Sequence, residues 1–124
     1  MTKERITLGK KGEDLAVSHL KKQGIKVILR NYRQKSGEID IIARDGDFLV
    51  FVEVKTRRSL AFGSPFEAVT HKKQAQITRV AMEYISRNNI SLQACRFDVV
   101  SIVMSQGRTV QIEHQKNAFD AVMF

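Results

Sequence analysis

Two strand-like segments near the middle of the chain are separated only by the dipeptide Asp45-Gly46. They cover residues 38–44 and 47–55, and both are rich in the β-branched and aromatic side chains that favour extended structure. Asp-Gly between two such segments is a strong signal for a tight β-hairpin. The sequence therefore predicts an antiparallel strand pair at the centre of the fold, and the flanking elements have to pack around it.

A helical pattern and then an extended pattern precede the predicted hairpin. Apolar or small residues recur every four positions from Leu8 to Leu20, which predicts an amphipathic helix over about residues 8–23, ended by Gly24. Residues 25–32 are rich in β-forming side chains and predict a first strand.

A second helix is predicted after a loop at residues 56–63. Ser64 suits the N-cap, Pro65 suits the first helical position, and Glu67 completes a capping box. Apolar residues continue along one helical face as far as Asn88-Asn89, where we expect the helix to end.

Two further strands are expected over residues 96–104 and 109–113, joined around Gln106-Gly107. The pattern beyond them is ambiguous, and residues 118–124 suit a short docking segment. The predicted order is αβββαββ, which is typical of an α/β sheet with helices packed on it. With 124 residues, the chain is predicted to form a single domain with a substantial core.

The composition excludes several classes of protein. With one Pro, seven Gly and 43% hydrophobic residues, the chain is neither collagen-like nor largely disordered. A single cysteine, Cys95, permits no internal disulfide. The longest apolar run, residues 48–52, is too short to cross a membrane, and the first residues lack a signal-peptide pattern. We therefore expect a cytoplasmic protein with no membrane partner.

The charge of the chain is strongly positive and unevenly distributed. Twenty-one Lys and Arg residues oppose thirteen Asp and Glu residues, which gives a net charge of +8, and residues 1–35 alone carry +7. Such an imbalance favours a polyanionic partner. Nucleic acid is the first expectation, because contacts of Lys and Arg with phosphate supply most non-specific binding energy. A solvated surface without a partner is the alternative.

The predicted hairpin brings acidic residues together. If Asp45-Gly46 forms the turn, Asp40 lies opposite Phe51. Because side chains alternate between the faces of a strand, one face carries Glu38, Asp40, Phe51, Glu53 and Lys55. The other face, which is predicted to be the core face, carries Ile39, Ile41, Val50, Val52 and Val54. Asp40 and Glu53 become diagonal neighbours, roughly 7–8 Å apart at the backbone, within joint reach of one cation.

Three carboxylates on one strand face repel one another unless a cation lies among them. Hard oxygen ligands with room for water suit Mg²⁺ or, as a substitute, Mn²⁺. The ammonium of Lys55 on the same face can stabilise negative charge on a phosphate or orient an attacking water. The set is typical of metal-assisted phosphodiester hydrolysis. The alternative is a structural salt-bridge cluster, in which Glu38 pairs with a nearby Arg or Lys.

Asp40, twelve intervening residues and then Glu53-Val54-Lys55 resemble the D…(D/E)-x-K signature of the restriction-endonuclease-like superfamily. The chain as a whole resembles the YraN-like proteins of bacteria. The segments that carry this resemblance are residues 9–16 (GKKGEDLA), 30–33 (RNYR), 37–40 (GEID), 51–57 (FVEVKTR), 62–63 (FG) and 96–100 (RFDVV).

The resemblance implies a fold like that of archaeal Holliday-junction resolvases, with a central mixed sheet flanked by helices. Those enzymes use a first-helix Glu, a hairpin Asp and an E-x-K. The corresponding residues here are Glu13, Asp40, Glu53 and Lys55. The expected ligands of Mg²⁺ or Mn²⁺ are Asp40, Glu53 and the carbonyl of Val54. The implied substrate is DNA, with branched or damaged DNA as the finer expectation. A homodimer is also implied, because a two-fold dimer makes paired symmetric cuts.

Four basic residues are candidates for contacts with phosphates. Arg57 and Arg58 directly follow the second strand of the hairpin. Lys72 and Lys73 lie near the start of the second helix, where backbone N–H groups also favour phosphate, although such charges more often form a solvated face. Two alternatives stay open, a non-catalytic nucleic-acid-binding module on the same fold and an RNA- or ribosome-associated domain. The lack of an aromatic RNA-binding motif favours DNA over RNA.

Overall fold

The computed structural model describes residues 3–58, 69–91, 94–105 and 108–122. The elements in chain order are α1 (Lys3–Lys22), β1 (Lys26–Gln34), β2 (Gly37–Asp45), β3 (Phe48–Arg57), α2 (His71–Arg87), β4 (Cys95–Ser105) and β5 (Arg108–Phe119). The predicted αβββαββ order and the α/β class are confirmed. None of the helices in the described ranges is long and apolar enough to cross a membrane.

The five strands form one mixed sheet in the order β1-β2-β3-β4-β5. Neighbouring strands are antiparallel except β3 and β4, which are parallel. A parallel pair needs a long crossover connection, and α2 lies in it. The last strand continues through Phe119, so most of the segment that the sequence left ambiguous is paired with β4. The turn expected at Gln106-Gly107 lies outside the described residues.

The two helices end and begin at identifiable caps. Gly24 has φ +80°, and the N–H of Ile25 bonds to the carbonyl of Leu20 at 3.0 Å, so α1 stops where the sequence predicted. Helix α2 begins at His71, because Thr70 has an extended backbone and accepts the N–H of Lys73 with its side chain at 3.2 Å. The start predicted at Ser64 is therefore wrong for this helix, and Ser64, Pro65 and Glu67 lie outside the described residues.

Both faces of the sheet are buried, one by each helix. The α1 core joins Ala16, Leu20, Ile41, Val50, Val52, Val100 and Ile102 with their neighbours. The α2 core joins Ile39, Ile42, Phe51, Ile77, Val80 and Phe97 with theirs. The prediction of a single core face was therefore wrong. Phe51, expected beside the acidic residues, is 1% exposed and stacks on Phe97 with ring centroids 5.6 Å apart.

The hairpin exists, but its register differs from the prediction. Asp45 pairs with Phe48, so Gly46 and Asp47 are the two central residues of the turn, and Gly46 adopts φ +59°. This positive φ is what a two-residue hairpin loop requires. Every pair is displaced by two residues, so that Ile42 rather than Asp40 lies opposite Phe51. A displacement of two residues keeps each side chain on its face.

Candidate metal centre and its cleft

Strands β2 and β3 separate at Asp40. Their ladder runs from Asp45–Phe48 to Ile41–Val52, so Asp40 and Glu53 are the next residues on the two strands. There the Oδ2 atom of Asp40 accepts the backbone N–H of Val54 at 2.8 Å. A side chain thus satisfies a backbone donor where the ladder ends, and the two carboxyl groups lie at the fork between the strands.

The alternation of side chains in β2 also breaks at Asp40. Ile39 belongs to the α2 core and Ile41 to the α1 core, although residues two apart on a regular strand share a face. The neighbouring strand is irregular at the same level, because Asn31, which follows the Arg30–Ile41 pair, has φ +55°. Such local irregularities re-aim side chains and are common beside functional sites.

Asp40 and Glu53 form a buried carboxyl pair. Glu53 is 7% exposed, and its Oε2 atom has no hydrogen-bond partner in the described part of the chain. Burial raises the pKa of Asp40 to about 8, and the hydrogen bond and negative charge of Glu53 add to the rise, whereas the N–H of Val54 and the ammonium of Lys73 oppose it. Burial beside Glu53 therefore favours the protonated form of Asp40.

Helix α2 supplies a positive charge to this pair. The Nζ atom of Lys73 lies 3.6 Å from Oε2 of Glu53, which makes an ion pair but exceeds hydrogen-bond length. The side chain of Lys73 is 34% exposed. Lys73 therefore does not belong to a fully solvated face of the helix, which was the alternative considered for the basic residues of α2. Lys72, the other candidate on α2, is exposed.

A cleft of about 630 Å³ opens beside the fork. Six charged residues line it, namely Lys10, Glu13, Arg33, Glu38, Asp40 and Lys55. Lys55 and Glu13 therefore share this cavity with Asp40. Glu53 does not line the cleft and instead contacts Lys73. Lys10 was not among the predicted site residues. Its position in the basic GKKG segment is the sequence feature that could have identified it.

Glu13 is held at the cleft by residues that the sequence analysis did not assign. Its Oε1 atom accepts hydrogen bonds from Nε of Arg30 at 2.9 Å and from Nδ2 of Asn31 at 3.1 Å. Arg30 also bonds to Asp14 at 2.6 Å. The RNYR segment, which carried the family resemblance, thus orients the predicted first-helix Glu. Its partners are seventeen and eighteen residues away in sequence, so no local pattern predicts the contact.

A glycine brings α1 close enough to the sheet for this arrangement. A Cβ atom on Gly12 would overlap the side chain of Thr56, one residue beyond Lys55. The helix therefore approaches β3 within a distance that only glycine permits. Glu13 follows Gly12 directly, so the close approach fixes its position at the wall of the cleft.

The remaining predicted residues lie around these groups. Glu38 forms an ion pair with Arg33 at 3.4 Å, one of the two interpretations considered for it, and does not lie opposite Glu53. Arg57 is partly buried at the end of β3, and Arg58 is exposed just beyond it.

The donor set was compared with what a divalent cation requires. No three His, Cys, Asp or Glu side chains within the described ranges form a metal-binding group. The available ligands are the carboxylates of Asp40 and Glu53 with the carbonyl of Val54. Mg²⁺ commonly binds one or two carboxylates and retains several waters, so this small set fits it. The Oε2 atom of Glu53 is buried without a hydrogen bond, and it therefore offers an acceptor to a cation.

A second polar network lies in the sheet and was not predicted. Asp98 is fully buried and accepts bonds from Nε of Arg96 at 2.9 Å, Nε2 of His114 at 2.7 Å and the N–H of Asn117 at 3.0 Å. Burial alone would raise the pKa of Asp98, but these bonds more than offset it and the pKa lies below its usual value. Arg96 also bonds to Asp45 at 2.8 Å, which ties β4 to the hairpin.

Comparisons with known proteins agree on one family. The family described as "Uncharacterised protein family UPF0102" matches residues 12–102. A UPF0102 protein of Rhodococcus opacus is 48% identical over 114 residues, which cover 92% of this chain and 97% of the relative. One of Geobacter metallireducens is 50% identical over 121 residues, covering 97% and 98%. The chain therefore belongs to the uncharacterised protein family UPF0102.

Proposed function

We propose that this protein is a metal-dependent endonuclease that hydrolyses phosphodiester bonds in DNA, with branched or damaged DNA as its substrate class. The observation that carries the proposal is the pair of carboxyl groups, Asp40 and Glu53, at the fork between β2 and β3, with Lys55 and Glu13 on the wall of the adjoining cleft. Two acids kept together in a buried position at a cost in free energy are more typical of function than of stability.

The proposed cation is Mg²⁺ or Mn²⁺, held by Asp40, Glu53 and the carbonyl of Val54. When bound, it supplies a Lewis acid for the phosphate and lowers the pKa of water. The bond from the N–H of Val54 orients the Asp40 carboxylate. Because burial disfavours two adjacent negative charges, the empty pair binds a proton that a cation displaces.

Lys55 and Glu13 act on the substrate side in this proposal. Lys55 lines the cleft beside Asp40, where its ammonium can stabilise the charge that develops on the phosphate or hold the attacking water. Glu13 is oriented by Arg30 and Asn31, which leaves it little rotational freedom and suits a residue that positions water or substrate.

The electrostatics of the chain favour a polyanionic substrate. The net charge is +8, and the basic side chains of Lys10 and Arg33 reach the cleft. Arg57, Arg58 and Lys72 are proposed to contact phosphates on either side of it, because such contacts position a nucleic acid without reading its sequence. Binding of this kind weakens steeply as salt rises.

Cleavage of labelled DNA tests the proposal. Four-way junction, flap and linear duplex substrates are incubated with the purified protein and Mg²⁺, Mn²⁺ or EDTA. We expect metal-dependent cleavage that Asp40→Asn abolishes and Lys55→Ala lowers about a hundredfold. Asp47→Asn and Lys21→Ala, which remove the same charges at exposed positions away from the cleft, are expected to retain wild-type rates. Cleavage by Asp40→Asn and Lys55→Ala at the wild-type rate would contradict the site assignment.

A non-catalytic nucleic-acid-binding module is the second candidate. It is favoured by the small acidic set, since no group of three or more metal-binding side chains forms within the described ranges. This candidate predicts salt-sensitive DNA binding with no turnover in any metal, and binding that Asp40→Asn leaves unchanged or strengthens.

Paired cuts in a four-way junction would require a two-fold dimer. We therefore propose that the protein acts as a homodimer when it cuts a four-way junction symmetrically. Sedimentation of the protein alone and with junction DNA measures the stoichiometry. A monomer that makes two coordinated cuts would contradict the dimer proposal and leave the metal centre as proposed.

A further inference from the structure

Glu53 forms an ion pair with Lys73 of α2. Its Oε2 atom is buried and has no hydrogen bond, and the ammonium of Lys73 lies 3.6 Å away. Charge-assisted hydrogen bonds between a nitrogen and a carboxylate oxygen are about 2.7–2.9 Å long. Lys73 therefore neutralises Glu53 at a distance, without the short bonds of a permanent structural pair.

The side chain of Lys73 can leave Glu53 while its backbone stays in place. Its backbone is fixed in the first turn of α2, where its N–H bonds to Thr70, but its side chain is 34% exposed. A lysine stem is flexible and its ammonium is readily hydrated. The ammonium can thus move from Glu53 into solvent, or to an anion, without any movement of the helix.

We propose that Lys73 is the resident counter-ion of the Asp40–Glu53 pair, that its ammonium is displaced when a divalent cation binds, and that it then becomes available to a phosphate of the nucleic acid. This inference rests on the proposed metal centre. Its physical basis is that two cations beside one carboxylate repel each other, so the ammonium and the metal compete for Glu53.

The proposal has a reciprocal consequence. If the cation releases Lys73 toward phosphate, then a bound phosphate must in turn favour the cation, because coupling between two binding events is symmetric. The role assigned to Lys73 by the sequence, a phosphate contact, and its observed contact with Glu53 are then two states of one side chain.

Binding of Mn²⁺ to the protein without DNA tests the proposal. Free Mn²⁺ is counted by electron paramagnetic resonance during titration of the wild type, Lys73→Met, Lys73→Arg and Lys21→Met. Met keeps the length of the stem and removes the charge. We expect Lys73→Met to bind Mn²⁺ about fivefold more tightly than the wild type, the change that loss of a partly exposed ion pair produces. Lys73→Arg and the exposed control Lys21→Met should bind within about twofold of the wild type.

The outcomes separate this inference from the proposed function. If Asp40→Asn binds Mn²⁺ as the wild type does, the metal centre itself is wrong. If Asp40→Asn loses the site while Lys73→Met binds Mn²⁺ equally or more weakly than wild type, only the role of Lys73 is wrong. Circular dichroism of each variant verifies folding, and an unfolded Lys73→Met would show that the pair is structural and so would overturn the proposal.

Discussion

The backbone N–H of Val54 donates to the carboxylate of Asp40 at 2.8 Å, at the point where the β2–β3 ladder ends. This bond replaces the next pair of the ladder. It holds Asp40 beside Glu53, the residue before Val54, and so creates the buried carboxyl pair from which the predictions on pH and metal binding follow.

The first prediction concerns pH and stability without metal. The pKa of Asp40 is raised to about 8, so the folded protein binds a proton that the unfolded chain loses above about pH 4. The free energy of unfolding should therefore fall as the pH rises from about 4 toward 8, by up to about 1.4 kcal/mol per pH unit. Urea denaturation in EDTA measures this fall. Asp40→Asn should reduce it, Asp47→Asn should not, and equal slopes for both variants would contradict the prediction.

The second prediction concerns protons released by the cation. Because Asp40 is protonated at pH 7 in the empty site, binding of Mn²⁺ should release about one proton per ion. Calorimetric titrations in buffers of different ionisation enthalpy measure the number directly. A heat that does not depend on the buffer would show that Asp40 is already ionised.

The third prediction compares two glycines of α1. A Cβ at Gly12 would overlap Thr56, so Gly12→Ala should destabilise the protein by about 2 kcal/mol. A Cβ at Gly9 meets nothing within 4 Å, so Gly9→Ala should stabilise it by about 0.5–1 kcal/mol through helix propensity. Thermal or urea unfolding measures both. The pair Gly12→Ala with Thr56→Ala should recover part of the loss, and no recovery would locate the cost elsewhere.

The fourth prediction concerns the buried network of β4. Asp98→Asn leaves the guanidinium of Arg96 and the ring of His114 facing a neutral side chain in a buried position, and should cost about 3 kcal/mol of stability. Because the pKa of Asp98 is lowered, its contribution exists above the usual Asp value and is lost as the pH falls through the folded value. Asp120→Asn, at an exposed position, is the control. Acid unfolding curves that coincide for wild type and Asp98→Asn would be inconsistent with this account.

The fifth prediction concerns the orientation of Glu13. If Arg30 acts on the reaction only by holding Glu13, then Arg30→Gln and Glu13→Gln should each lower the cleavage rate, and the double variant should be no slower than Glu13→Gln. Binding of Mn²⁺ should change by less than about twofold in all three, because neither residue is a proposed ligand. Additive losses in the double variant would mean that Arg30 contacts the substrate itself.

Much of the hairpin was predictable, because its signals are local. The Asp-Gly pair and the flanking β-rich runs identified the turn, yet the turn is centred one residue later, on Gly46 and Asp47. The positive φ at Gly46 is compatible with either register, so it does not determine the choice between them. Because the resulting displacement is two residues, Asp40 and Glu53 are neighbours in spite of the incorrect register.

The assignment of faces failed for a different reason. Alternation predicts one polar and one apolar face only when one face meets solvent, whereas helices cover both faces of this sheet. Phe51 could therefore be buried on the side that was expected to be acidic. The break in alternation at Asp40, between Ile39 and Ile41, follows from packing on both sides and has no local signature.

Element order, basic character and the acidic residues of the hairpin follow from short-range patterns, which report each residue's near neighbours in the chain. The contacts of Glu13 with Arg30, Glu53 with Lys73 and Asp98 with His114 join residues from sixteen to twenty positions apart. Such contacts depend on how the helices pack on the sheet, and hydrophobic periodicity carries no information about this packing. The folded chain alone therefore determines which charges meet at the fork, because burial and the competition among neighbouring ions exist only after packing.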